Sequence, residues 1–75
     1  MSLLGASFYR SRPAPKGVGV GHKVQIFLLP EGRGFVYELF DGKDNLIRRC
    51  ADIYAAPGLA EIAGLEWLEE HKEYL

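Results

Sequence analysis

Few side chains in this 75-residue chain are equipped for chemistry. Cys50 is the single thiol, and His22 and His71 are the two imidazoles. A cysteine nucleophile works as the thiolate, held by a histidine, a neighbouring cation or a helix N-terminus. Arg48 and Arg49 precede Cys50, but in a strand Arg49 points to the opposite face. His22 and His71 fall at opposite ends of the folding unit. One thiol and two imidazoles are also too few to complete a structural zinc site. Glu66, Glu69, Glu70 and Glu73 place carboxylates at helical spacing. Paired acids do acid–base work where a cleft drives their pKa values apart; on an exposed helix they form a solvated face. Gly17-Val18-Gly19-Val20-Gly21 has the glycine content of a phosphate loop. Such a loop needs a helix after it, so that helix N–H groups face the anion. Here a strand follows, and the run reads as a hinge. No catalytic, cofactor or metal-binding residue is assigned, and the chain is expected not to be an enzyme.

Binding chemistry is better represented. Arg33, Arg48 and Arg49, with Lys43, Phe35 and Tyr37, are candidates for a basic aromatic sheet face that stacks nucleic-acid bases. A formal net charge of −1 and an acidic C-terminal stretch argue against a strong electrostatic footprint. Trp67 lies beside an apolar stripe, where core packing and a partner contact are equally good readings. Phe8, Tyr9, Phe27, Phe40 and Trp67 are the candidate interface residues, since exposed aromatic area anchors protein contacts.

The elements that must position these groups fit one domain. A chain of this size buries only about 60% of the surface it exposes when unfolded. Small scaffolds therefore lean on disulfides, a metal or a partner subunit. A lone cysteine rules out an internal disulfide and suits a reducing, cytoplasmic setting. Oligomerisation remains, and a hydrophobic fraction of 48% points the same way. No apolar run approaches the ~18 residues of a membrane span. Met1-Ser2-Leu3 has the look of a cloning remnant, and the first residues make a poor signal peptide.

Residues 1–21 carry Pro13, Pro15, Gly17, Gly19 and Gly21, which discourage regular structure. They are expected to form an extended or flexible N-terminal arm, and residues 22–75 a single small α+β domain. His22 to Leu29 reads as a strand, with Val24, Ile26 and Leu28 on one face and Gln25, Phe27 and Leu29 on the other. Phe35 to Phe40 is the next strand, Asp41 to Asn45 a hairpin loop, and Leu46 to about Asp52 the third. Pro57 suits a first helical position. Leu59, Ile62, Leu65 and Leu68 then recur along a helix running to His71 or Tyr74, with Ala63 and Trp67 widening the stripe. Gly64 costs roughly 1 kcal/mol relative to Ala in mid-helix, unless it lets the helix press close to the sheet. The expected fold is a three-stranded antiparallel meander packed against one C-terminal amphipathic helix, βββα.

Charge is unevenly spread. Arg10, Arg12, Lys16 and Lys23 occupy the first 23 residues with no acid among them, whereas Glu61, Glu66, Glu69, Glu70 and Glu73 crowd the end. A basic arm and an acidic helix attract each other within one chain or between two, or stay separately solvated.

The stretch Phe35 to Leu68 resembles the repeat unit of the small bacterial YegP-like family of unknown function. The resemblance rests on Phe35-x-Tyr37-x-Leu39, the Gly42 turn, Ile47, Tyr54, Ala60-Glu61 and Gly64-Leu65. An extra residue near Ala51, another near Ala63, and the arm before His22 depart from it. The resemblance implies a ββα unit that associates in pairs, with no established activity. The sequence thus leads to a non-enzymatic homodimeric interaction module, with nucleic-acid binding as the alternative.

Overall fold

The computed structural model describes residues 5–14 and 21–71. Its elements are β1 (Ser7–Pro13), β2 (Lys23–Leu28), a 3-10 turn (Pro30–Gly32), β3 (Phe35–Phe40), β4 (Leu46–Arg49) and α1 (Pro57–Glu70). The strands form one antiparallel sheet in the order β1-β2-β3-β4, and α1 packs on β2 and β3. The class is α+β.

Strand parity sets the core. Val24 pairs with Leu39 and Ile26 with Tyr37, and all four are buried beneath Ala60 and Leu68 of the helix. Burying an aliphatic side chain stabilises by roughly 1.5–3 kcal/mol, so these contacts hold sheet and helix together.

The expected three strands are corrected to four. Residues 7–13 of the expected arm form β1, paired with β2 from Ser7↔Leu28 to Pro13↔Lys23. A bulge at Tyr9 interrupts the register. β1 buries none of its residues, so it carries no alternating apolar pattern, and Pro13 is tolerated because it ends an edge strand. Side chains on α1 anchor it instead. Arg10 Nη2 lies 2.9 Å and Arg12 Nε 3.1 Å from the Glu61 carboxylate. The basic stretch and the acidic helix therefore meet within one chain. Met1-Ser2-Leu3, the 17–20 part of the glycine run, and Glu73 and Tyr74 lie outside the described residues.

β4 is shorter than expected, ending at Arg49. A register shift opposite Leu39 and Phe40 leaves Ile47 unpaired. The chain then closes back on β3 through a bridge between Tyr54 and Phe35. Gly34 permits this approach: its φ is 138°, and a Cβ there would lie 2.5 Å from Ile53 Cγ2 and 2.8 Å from the Tyr54 carbonyl. The β3–β4 loop is held by Asp41, whose Oδ1 accepts the Lys43 and Asn45 amides at 2.8 and 2.9 Å. The Asn45 and Lys43 amides hold its carboxyl below the usual aspartate value, because they bond the charged form.

The helix turns differently from the expected stripe. Ala60, Gly64 and Leu68 face the sheet, whereas Leu59 and Ile62 are more than half exposed. Positions three apart drift backwards by about 60° per step on a helix, and positions four apart advance by about 40°. The four-residue ridge of small side chains is the one that fits against the sheet.

Candidate functional site

One face of the sheet is roofed by α1, and no element among the described residues covers the opposite face. Three cross-strand rows make up this open face. Phe8, Phe27 and Val36 pair in sequence across β1, β2 and β3. Ser11, Gln25, Glu38 and Arg49 form the next row. Pro13, Lys23, Phe40 and Leu46 form the third. The face is thus apolar along its first row, polar across its middle, and apolar around Lys23 in the third.

Phe8 and Phe27 meet edge to face, with ring centroids 5.9 Å apart. Phe8 is nevertheless 59% exposed, because β1 is an edge strand of the sheet. In the central row Arg49 Nε donates to Glu38 Oε2 at 2.6 Å, and Glu38 is buried. The guanidinium offsets the desolvation of that carboxylate. At the far edge, Lys23 Nζ reaches Asp44 Oδ1 at 2.5 Å. Among the described residues of these rows, Lys23 and Arg49 are therefore each matched by an acid.

Where the first row reaches β4, the strand has already ended. The vacant fourth position is a hollow of about 240 Å³, lined mainly by Leu29, Val36, Arg49, Cys50, Asp52 and Ile53. Cys50 Sγ accepts the Tyr37 amide at 3.2 Å and donates to the Asp52 carbonyl at 3.1 Å. Burial pushes its thiol above the usual cysteine value, against the opposing pull of those backbone bonds. That is the direction away from an activated nucleophile.

The sequence-derived candidates separate onto different surfaces. Phe8, Phe27 and Phe40 share the open face. Tyr9, displaced by the bulge, packs edge to face on Phe35 at 5.2 Å, on the helix side. Trp67 also lies on the helix side: the Arg48 guanidinium sits 5.1 Å above its ring, and His71 stacks on it at 3.9 Å. Trp67 belongs to the shell around the core. Arg33, Arg48 and Arg49 do not converge. Arg48 stands over Trp67 and donates to the Tyr37 hydroxyl at 3.3 Å, Arg49 faces the other way toward Glu38, and Arg33 is exposed in the β2–β3 turn. The hollow was not visible from the sequence. Its one signal was Gly34, the residue that lets segment 50–54 fold back.

Among the described residues, no group of three or more His, Cys, Asp or Glu side chains is placed to hold a metal ion. No helix among them is long and apolar enough to cross a membrane. No family model, curated protein or solved structure matches the chain.

Proposed function

We propose that this protein is a non-enzymatic, cytoplasmic interaction module that forms a homodimer through the open face of its sheet. The observation that carries this reading is the one-sided roof among the described residues: α1 covers one face, and the other presents the exposed Phe8 and Leu46 and the half-buried Phe27 and Phe40 around a matched ion pair. An exposed apolar surface rimmed by polar groups marks an interaction site. Size adds to the argument, because a domain this small has little core to spare. The balanced charges of the face suit a neutral, apolar partner surface better than a phosphate backbone, which requires clustered cations.

Light scattering tests the reading. At micromolar concentration the wild type should have twice the 8.4 kDa chain mass. Phe27→Glu places a carboxylate in the middle of the apolar row, and it should return the mass to that of one chain with an unchanged circular dichroism spectrum. A wild-type mass of one chain at a hundred micromolar would contradict the proposal.

A further inference from the structure

We infer that the two copies pack as a face-to-face, two-fold pair in which Phe8 of each copy fills the Cys50 hollow of the other. This rests on the homodimer reading and specifies its geometry. Phe8 is the protruding ring of the open face, and the hollow is its one recess described above. They lie on the same row, at opposite edges of the same sheet. Row one runs Phe8, Phe27, Val36 and then the vacancy left by the early end of β4.

A two-fold axis parallel to the strands and midway between β2 and β3 keeps each row at its own height. It exchanges β1 with β4 and β2 with β3. Phe8 then stands over the partner's hollow, and Phe27 over Val36 of the partner subunit. In the middle row, Glu38 meets the amide of Gln25 of the partner subunit, and Arg49 meets the hydroxyl of Ser11 of the partner subunit. In the third row, the stem and ammonium of Lys23 cover the ring of Phe40 of the partner subunit, a cation–π arrangement. Pro13 meets Leu46 of the partner subunit. No two like charges are opposed in any row, which is the electrostatic complementarity an isologous contact requires. Two sheets stacked about 10 Å apart with strands nearly aligned is a preferred packing. Because a knob and a hollow on one face satisfy each other in both directions, association closes at two copies and leaves no free knob to extend a fibre.

The hollow supplies its own reporter, since Cys50 lines it. Within one chain, residue 8 lies on β1 and Cys50 just past the end of β4 at the opposite edge of the sheet, three strand spacings or about 14 Å away. A disulfide spans at most about 7 Å between Cα atoms, so no link can form inside the chain. The experiment is Phe8→Cys under mild oxidation by glutathione disulfide, read by non-reducing electrophoresis and by sedimentation of the wild type. Phe8 is exposed, so the variant keeps the fold. The inference expects a covalent two-chain band that is lost when Cys50→Ser is added. A dimeric wild type with no cross-link, or with one that survives Cys50→Ser, would overturn this packing and leave the homodimer standing. A monomeric wild type would overturn both.

Discussion

Replacing Gly64 with valine should cost about 3 kcal/mol or more of stability, at the upper end of what overpacking a core produces. A Cβ at this position would lie 3.0 Å from Val24 Cγ1, 3.2 Å from Leu39 Cδ2 and 3.3 Å from Tyr37 Cδ1. Those neighbours are fully or almost fully buried, so none can swing into solvent. Valine adds two further methyl groups at a contact that is already tight. Against this, leaving glycine improves helix propensity by only a fraction of a kcal/mol for valine and about 1 kcal/mol for alanine. Gly64→Ala should therefore stay within about 1 kcal/mol of the wild type, its propensity gain offsetting the strain. A domain of this size has a total stability of roughly 4–11 kcal/mol. Urea denaturation at one fixed protein concentration checks both variants, since dimerisation makes the midpoint depend on concentration. A Gly64→Val midpoint at or above the wild type would mean that α1 does not press on the sheet at this point.

Leu68→Ala should cost about 2–5 kcal/mol, the usual range for deleting a buried leucine side chain. Leu59→Ala should stay within about 0.5 kcal/mol, as surface substitutions do. Leu68 has no exposed surface, whereas Leu59 is 52% exposed. The contrast is informative because the two leucines stand in one apparent stripe of the sequence. Equal effects at both positions would require the helix to be rotated from its observed orientation. The same urea experiment reads the difference, with an unchanged slope showing that the exposed area on unfolding is preserved.

The helix shows how far sequence pattern reaches. Its existence, its start at Pro57 and the parity of β2 and β3 are legible, because apolar periodicity and a proline at the first position are local signals. Its rotation is not. Leu59, Ile62, Leu65 and Leu68 outweigh Ala60 and Gly64 in hydrophobicity, yet sheet contact selects the small residues. The close approach at Gly64 is a tertiary requirement that no single-helix pattern encodes. β1 escaped detection for a related reason. Its Arg10 and Arg12 are held by Glu61, 51 and 49 positions away, and its serines and terminal Pro13 resemble a linker.

The site was legible in part. Alternation along β2 and β3 is what puts Phe27 and Phe40 on one face; Phe8 joins them only through β1, which reads as an arm in the sequence. Tyr9 fell on the other side through a single bulge, which shifts every assignment beyond it. Trp67 has the Arg48 guanidinium over its ring and His71 stacked on it, contacts made by side chains of β4, α1 and the helix C-cap. The hollow depends on β4 ending at Arg49, one row early, and no local sequence signal marks that boundary.

A dilution series of two-dimensional ¹⁵N NMR spectra reads, residue by residue, which surface a second copy covers. The open-face assignment predicts concentration-dependent amide shifts at Phe8, Phe27, Gln25, Glu38 and Ile53, with the exposed helix ridge at Leu59 and Ile62 unchanged. Shifts centred on Leu59 and Ile62, or spectra identical from millimolar to micromolar with the relaxation of an 8.4 kDa particle, would contradict it.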